Sequence, residues 1–290
     1  MLLRIVSILF PPFAITAVGF LAGRRTKPDL SHANKLNMDV FVPALVFGAL
    51  ANKSFHIAEF LPLLGATFVA VVGSGLLGWG VARLIGVAPR TFAPPMMFNN
   101  CGNLGLPLAV LAFGDQALAP AVVMFMVSNL LHFTFGAWLL DHDIRLLSVW
   151  RVPSVIATIS GLAVGIAGIE VWPPAMLAIK MLGDISIPLM LFALGVRLSE
   201  SRIPSVRLGL IGAVARPAIG LALSVVLVTV VPLPERERAL LLVFGALPPA
   251  VLNYMFAERY HQEPEKVASI VLIGNVAALV FLPLALAIGL

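Results

Sequence analysis

The sequence predicts an all-α polytopic membrane protein whose ten transmembrane helices form two inverted five-helix repeats. Three observations predict this class. Only 11% of the 290 residues are charged and 60% are apolar, where a soluble domain carries roughly a quarter charged residues with which to face water. The apolar residues gather in runs that suit a bilayer core of roughly 30 Å, which takes about 20 helical residues, or fewer where polar flanks snorkel. Motifs within those runs recur at a nearly constant separation, the mark of an internal repeat. The 24 glycines and 22 prolines suit the same class, because neighbouring helices and buried water re-satisfy the backbone groups that such residues free.

The runs lie at 3–23, 36–51, 57–85, 91–113, 117–139, 153–169, 175–197, 206–231, 236–257 and 264–289, referred to as spans 1 to 10. Span 1 could pass for a signal peptide, but Arg24, Arg25 and Lys27 follow its apolar run instead of preceding it, and it reads as mature helix. It aligns with span 6: Pro11, Thr16, Gly19 and Gly23 match Pro153, Thr158, Gly161 and Gly165 at a separation of 142 (153 − 11). Span 2 opens with Lys35, Asp39, Pro43 and Phe47, and span 7 with Lys180, Asp184, Pro188 and Phe192, at 145 (180 − 35). In span 4, Leu106 to Val110 recurs as Leu247 to Val251 in span 9, at 141 (247 − 106). Asn129 in span 5 and Asn275 in span 10 stand 146 apart (275 − 129). The chain therefore reads as a duplicated unit, 1–140 and 153–290. An odd number of spans per unit turns the second copy upside down, an architecture of many secondary transporters that places the substrate near mid-membrane between the repeats.

Basic residues set the orientation. Apart from Lys35, Lys180 and Arg216, which sit at or inside helices, sixteen of the nineteen Lys and Arg lie in connections. Twelve follow odd-numbered spans: Arg24, Arg25, Lys27, Arg83, Arg90, Arg145, Arg151, Arg197, Arg202, Arg207, Arg259 and Lys266. Arg4, Lys53, Arg236 and Arg238 lie on the other side. The excess of positive charge belongs in the cytoplasm, so both termini are expected outside a cell (inner) membrane. The same distribution excludes nucleic acid, since the net charge of +5 comes from short loops and not from a basic arm or helix. The five histidines, His32, His56, His132, His142 and His261, form no H-E-x-x-H or H-x-x-x-H pair, and no G-x-S-x-G elbow or acidic metal cluster is present; an enzyme and a metal site are not expected. The single Cys101 rules out an internal disulfide and is expected to be a small packing residue.

Spans 4 and 9 are the expected broken helices. Span 4 holds Asn99, Asn100, Cys101, Gly102, Asn103, Gly105 and Pro107 in the middle of an apolar run, and span 9 holds Pro248 and Pro249 followed by Asn253 and Tyr254. Proline removes an N–H and clashes with the preceding turn. Unwound backbone at this depth is viable only where it lines a cavity or is buried in protein. The half-helix N-termini so formed carry partial positive charge suited to an anion, and freed carbonyls suit a cation. A pair of plain proline kinks, with the amides bonding nearby backbone, is the alternative.

Arg216 lies nine positions after Arg207 (216 − 207), roughly 13 Å deep at 1.5 Å per residue, where an arginine costs about 2.5–3.5 kcal/mol even on the lenient insertion scale. Either it binds a substrate or gating carboxylate, or carbonyls of a half-helix satisfy it; Pro217 beside it frees the carbonyl of Ala213. Asp39 and Asp184 each follow a lysine by four residues near a helix start, where the dipole and the i,i+4 cation neutralise an acid; proton carriage or state-dependent pairing is the other reading. His132 is a packed histidine or a proton carrier, and Asn129 and Asn275 either face the break or bond between helices.

The runs N-x-x-G-N-x-G-L-P-L from Asn99 and A-L-P-P-A-V-x-N-Y-x-x-A-E-x-Y from Ala246, with the P-[AL]-[LM]-[VL]-F signature at Pro43 and Pro188, resemble the auxin efflux carrier family over the whole chain. That family includes the plant PIN-FORMED carriers and bacterial permeases assigned to malate, malonate and similar acids. The resemblance implies ten helices with the N-terminus outside and spans 4 and 9 crossing at their prolines, Asn103 and Pro107 on one side and Pro248 and Asn253 on the other. It also implies a scaffold of spans 1, 2, 6 and 7, which often dimerises, and a transport domain of spans 3–5 and 8–10. Only about a dozen residues separate spans 5 and 6, so the long cytoplasmic loop of the plant carriers is absent and a bacterial-type permease is indicated.

The expectation is a secondary active transporter of small organic anions, mono- or dicarboxylates, working by alternating access. The substrate is expected at the crossover among Asn99, Asn100, Asn103, Pro107, Asn129, Arg216, Pro248, Pro249, Asn253 and Asn275, with Gly102 and Gly105 relaxing the backbone. Lys35, Asp39, Lys180, Asp184 and His132 are the proton or gating candidates. No cofactor is expected beyond a coupling ion, Na⁺ or H⁺, and the partners are the organic anion, the lipid bilayer and a second copy of the chain. The alternatives are a sodium-coupled bile-acid-type symporter, which shares the inverted-repeat plan, and a channel or membrane scaffold.

Overall fold

The computed structural model describes residues 2–51, 57–142, 150–200 and 204–289. Among them every regular element is helical. In chain order these are α1 (Leu2–Thr26), α2 (Ser31–Leu36), α3 (Val42–Leu50), α4 (Leu61–Leu84), α5 (Pro89–Met97), α6 (Leu106–Phe113), α7 (Leu118–Leu131), α8 (Ala137–Leu140), α9 (Pro153–Ile166), α10 (Pro173–Glu200), α11 (Val206–Val230), α12 (Glu235–Ala246), α13 (Leu252–Arg259) and α14 (Pro264–Gly289). Three wide π-helical turns, Asn37–Phe41, Cys101–Gly105 and His132–Gly136, join α2 to α3, lead into α6 and join α7 to α8. Of the basic residues that set the expected orientation, Lys53, Arg145 and Arg202 lie outside the described residues.

Six helical stretches are long and apolar enough to cross a membrane: Ile5–Thr26, Ala58–Leu84, Asp115–Leu140, Pro173–Ser199, Val206–Val230 and Pro264–Ile288. The protein is thus polytopic. The other expected spans are made of shorter pieces, for local reasons. α9 has 14 residues, about 21 Å of helix; α2 and α3 are divided by a π turn; and spans 4 and 9 are interrupted at their centres. Proline alone does not interrupt a helix here, since Pro11, Pro12, Pro188, Pro217 and Pro283 all lie inside continuous helices.

Small residues set the closest packing. A Cβ built on Gly195 of α10 would stand 1.9 Å from the Thr16 carbonyl oxygen of α1, and one on Gly19 would stand 2.2 Å from the Phe192 carbonyl. The two backbones touch as small-residue membrane helices do. α3 packs against α9 and α10, while α11 packs on α4, α12 and α14, and α4 on α5 and α7. Large apolar side chains such as Leu3, Phe10, Leu76, Val226 and Val280 face outward, as a lipid-facing surface requires.

Candidate functional site

The break in the fourth span falls at Phe98–Asn100, earlier than its proline. α5 ends at Met97, Phe98 takes an extended conformation (φ −104°, ψ 106°), and helix resumes as the π turn at Cys101. Pro107 stands buried six residues after Cys101 (107 − 101), directly behind the wide π turn, and the resumed helix continues through it to Phe113. In the ninth span the break is at the prolines: α12 ends at Ala246, Leu247 is extended (ψ 140°) because the residue before a proline avoids the α region, and α13 begins at Leu252.

The two extended pieces pair with each other in antiparallel fashion at Asn99 and Pro249. The Asn100 N–H donates to the Pro248 carbonyl at 2.7 Å, and the Ala250 N–H donates to the Phe98 carbonyl at 2.9 Å. The two bonds are exchanged by a local two-fold that takes residue n to residue n + 150, Phe98 to Pro248 and Asn100 to Ala250 (248 − 98, 250 − 100). The separation of 141 taken from the Leu-Pro-x-Ala-Val match is therefore nine residues short at the break (150 − 141). The sequence match aligned a proline inside the resumed helix with helix-breaking ones.

Buried amides brace the pairing. Asn99 Nδ2 donates to the Phe244 carbonyl at 2.7 Å. Asn253 Nδ2 donates to the Phe98 and Ala250 carbonyls, both at 2.9 Å. Asn275 of α14 donates to the Pro249 and Val271 carbonyls at 3.0 and 2.8 Å and accepts from Asn100 Nδ2 at 3.1 Å. The His132 ring stacks on Phe98, with centroids 4.0 Å apart and planes 6° apart, and meets the Phe256 ring edge-on at 4.9 Å.

One side of the paired break opens into a cavity of about 490 Å³. Asn99 to Asn103 from the first break line it, with Ala250, Val251, Leu252 and Met255 from the second. Both half-helix N-terminal turns, where backbone N–H groups lack intrahelical acceptors, therefore border the cavity. α7 and its π turn add Phe125, Ser128, Asn129 and His132. The opposite wall is α2 and its π turn, with Ser31, Asn34, Lys35 and Asn37, and α10, with Met190, Ala193, Leu194 and Arg197. Lys35 and Arg197 line it, and no Asp or Glu among the described residues does. Its lining reaches the end of the molecule where α1 and α10 finish, through Ser31 and Arg197.

The residues singled out in the sequence divide accordingly. Asn99, Asn100, Gly102, Asn103, Asn129, His132 and Lys35 line the cavity; Gly105, Pro107, Pro248, Pro249, Asn253, Asn275, Arg216, Asp39, Lys180 and Asp184 do not. Asn129 also donates to Ser154 Oγ of α9 at 3.3 Å. Asp39, Lys180 and Asp184 are exposed, and no ion pair among the described residues joins Lys35 to Asp39 or Lys180 to Asp184. Asn34, Asn37, Ser128 and Arg197 were not singled out for the site. Arg197 was legible: with Met190, Ala193 and Leu194 it completes an i, i+3, i+4, i+7 face of one helix.

Arg216 is 1% exposed. Its Nη1 donates to the Gly245 carbonyl at 3.3 Å, while Nε has no partner. Gly245 is the second-last residue of α12, so the guanidinium meets the negative end of a half-helix dipole. Gly220 makes the room: a Cβ there would stand 2.3 Å from Arg216 Nη1 and 2.1 Å from the Gly245 carbonyl oxygen. The one hydrogen bond that Arg216 makes goes to a half-helix carbonyl, a contact that the carbonyl reading of the sequence anticipates.

Comparison with known proteins agrees with this architecture. The family model described as "Membrane transport protein" matches residues 4–145 and, a second time, residues 142–286, which fits the internal repeat. A Rhizobium meliloti (strain 1021) protein named as a candidate malonate transporter is 26% identical over 217 residues, 68% of this chain and 67% of its own length. An uncharacterized transporter of Methanocaldococcus jannaschii is 24% identical over 275 residues, 87% of this chain and 88% of its own. The chain belongs to the membrane transport protein family of the auxin efflux carriers, and is a membrane transporter.

Proposed function

We propose that this protein is a secondary carrier of small organic anions that binds a substrate carboxylate in the cavity beside the paired breaks. One observation carries the reading: both half-helix N-terminal turns, Lys35 and Arg197 border a single cavity that no carboxylate side chain among the described residues lines. Half-helix N-termini and cationic side chains both favour an anion at membrane depth. The amides of Asn100, Asn103 and Asn129 supply uncharged donors that orient it. The name of the Rhizobium relative makes a short dicarboxylic acid the first substrate to try.

The reading includes ten spans in two inverted repeats, with spans 4 and 9 crossing at the paired breaks. Spans 1, 2, 6 and 7 act as the scaffold, through which the chain dimerises, and the other six move against it. The packing supports this division, since α10 packs on α1 and α3 and α3 packs on α9, while α11 packs on α4, α5, α12 and α14. The cavity takes its walls from both groups. Both termini lie outside the cell membrane, so the cavity opens toward the cytoplasm.

The test is uptake into proteoliposomes with a panel of mono- and dicarboxylates, with sodium and pH gradients imposed separately. A carrier gives saturable, trans-stimulated flux that one of the gradients drives. Flux that neither saturates nor responds to trans substrate would sink the carrier reading in favour of a channel.

A further inference from the structure

We propose that the turn Asn37–Phe41 and its repeat counterpart, 182–186, form a reciprocal switch. The first is wide and the second α-helical while the cavity is open on the Lys35 side, and the two exchange conformations when it opens on the other. This rests on the carrier reading above and adds a moving part to the scaffold.

The three π turns among the described residues all lie in the first repeat. Each lines the cavity: the first through Asn37 and Met38, the second through Cys101, Gly102 and Asn103, the third through His132. Wide turns of this kind are rare and gather at functional sites. The counterparts of the first and third, 182–186 (182 − 37 = 145) and 278–282 (278 − 132 = 146), lie inside the continuous α-helices α10 and α14. At the paired breaks the same contrast holds across the local two-fold. The Asn100 carbonyl accepts from the N–H groups of Leu104 and Gly105, whereas the Ala250 carbonyl accepts from that of Asn253, only three residues on (253 − 250).

A turn closed by i→i+5 bonds takes up one residue more than an α turn, so an inserted residue is the simplest cause of one. No insertion is present at Asn37–Phe41: Lys35, Asp39, Pro43 and Phe47 are spaced as Lys180, Asp184, Pro188 and Phe192 are. One spacing is wound two ways, and the difference therefore comes from the packing around each turn. That packing is shared. The wide turn lies against α10. Gly183, the counterpart of Met38, lies so close to α3 that a Cβ would stand 2.8 Å from Leu45 Cα. Rewinding either segment moves the other, as a packed contact with two discrete arrangements requires.

Each segment also holds a buried polar atom without a partner, Asn37 Oδ1 in the wide turn and Ser186 Oγ in the α-helical one. Thr16, Thr67 and Ser160, also within helices, donate to the carbonyl one turn back; Ser186 does not. A buried group left unpaired costs free energy, which keeps the present arrangement from being locked. In inverted repeats, opening on the opposite side exchanges the roles of the two copies.

The experiment reads the labelling of single cysteines by a water-soluble methanethiosulfonate reagent in the purified full-length chain, in a Cys101→Ser background. Asn34→Cys reports the present cavity, whose wall Asn34 lines. Ser186→Cys, at a fully buried position, reports widening of the counterpart. Two changes rewind the turns: deletion of Val40, an exposed residue of the wide turn, and insertion of one alanine after Ile185. Each is expected to slow labelling of Asn34→Cys and to speed that of Ser186→Cys about tenfold, as the population moves from one state to the other. The two changes lie in different elements, so either one decides the matter if the other fails to fold. A folded variant that labels at wild-type rates at both positions overturns the switch, and so does failure of both to fold, since a two-state turn tolerates either length. Uptake by the wild type, measured alongside, separates the two readings. Unmoved labels in a chain that transports overturn the switch alone; a wild type that transports no carboxylate takes the carrier reading and the switch with it.

Discussion

Asn99, Asn253 and Asn275 are each under 10% exposed, and their side-chain amides reach five backbone carbonyls, those of Phe98, Phe244, Pro249, Ala250 and Val271. An interrupted helix leaves carbonyls without intrahelical donors, and in a membrane no water is at hand to supply them. These amides replace that water. Arg216 does the same for Gly245 with a charged donor. Asn103, by contrast, is half-buried in the cavity wall. The two kinds of residue should respond differently to mutation. Asn253→Ala and Arg216→Gln are expected to lower the ligand-free melting temperature, each removing on the order of 1–3 kcal/mol, because carbonyls at the break lose a donor. Asn103→Ala should melt like the wild type without ligand, while substrate affinity falls roughly tenfold and the stabilisation by added substrate shrinks. Melting curves with and without substrate measure both effects. An Asn253→Ala or Arg216→Gln that melts normally but no longer binds would return that residue to the substrate.

Among elements, α1 and α10 make the closest approach by their glycines, since a Cβ on Gly195 would stand 1.9 Å from the Thr16 carbonyl oxygen and 2.7 Å from the Phe20 nitrogen. Neither obstacle is a flexible side chain. Gly195→Ala must push the helices apart, with an expected cost of about 1–3 kcal/mol. Gly80 of α4 is the control, with nothing within 4 Å of its Cβ position; Gly80→Ala should be neutral or stabilise by up to about 1 kcal/mol through helix propensity. Equal melting temperatures for the two variants would contradict the packing argument. The elements also show how differently a proline acts by position. Pro107 behind the wide π turn is accommodated, Pro217 inside α11 leaves the helix continuous, and the tandem Pro248 and Pro249 end one. The first break has no proline in it: α5 closes with Pro94 and Pro95 inside its last turns, and the extended Phe98 follows them.

For the whole molecule, Lys35 and Lys180 begin matching motifs 145 residues apart (180 − 35), yet only Lys35 lines the cavity. Inverted repeats account for this asymmetry if the cavity opens on one face at a time, because the two lysines then stand near opposite faces of the membrane. In a Cys101→Ser background, an impermeant thiol reagent is expected to label Lys180→Cys in intact cells and Lys35→Cys only in inside-out vesicles. A cysteine placed at position 2 should label in intact cells with Lys180→Cys. Labelling of Lys35→Cys from outside would reverse the orientation that the twelve-to-four distribution of basic residues supports.

The sequence by itself determined the solvent, the class and the duplication. Those properties follow from composition and from the spacing of Lys, Asp, Pro and Phe along the chain, and both are local or periodic quantities. It also marked the regions of the two breaks, because amides, glycines and prolines inside apolar runs signal unsatisfied backbone. It did not locate the first break within its region. The most visible proline, Pro107, lies inside a helix that continues through it, and the break falls where Asn99 pairs with Pro249, 150 residues away (249 − 99). Nor could spacing divide the polar residues into those that hold the backbone together and those that face a ligand. Asn253 and Asn103 look alike in sequence, and only the packing of α5, α12 and α14 turns one inward to carbonyls and leaves the other on a cavity wall. Arg197 lines the cavity and Arg216 is buried against the Gly245 carbonyl for the same reason. Depth along a helix is readable from residue count, but the direction a side chain faces depends on which helices pack beside it, and that is set by contacts between residues far apart in the chain.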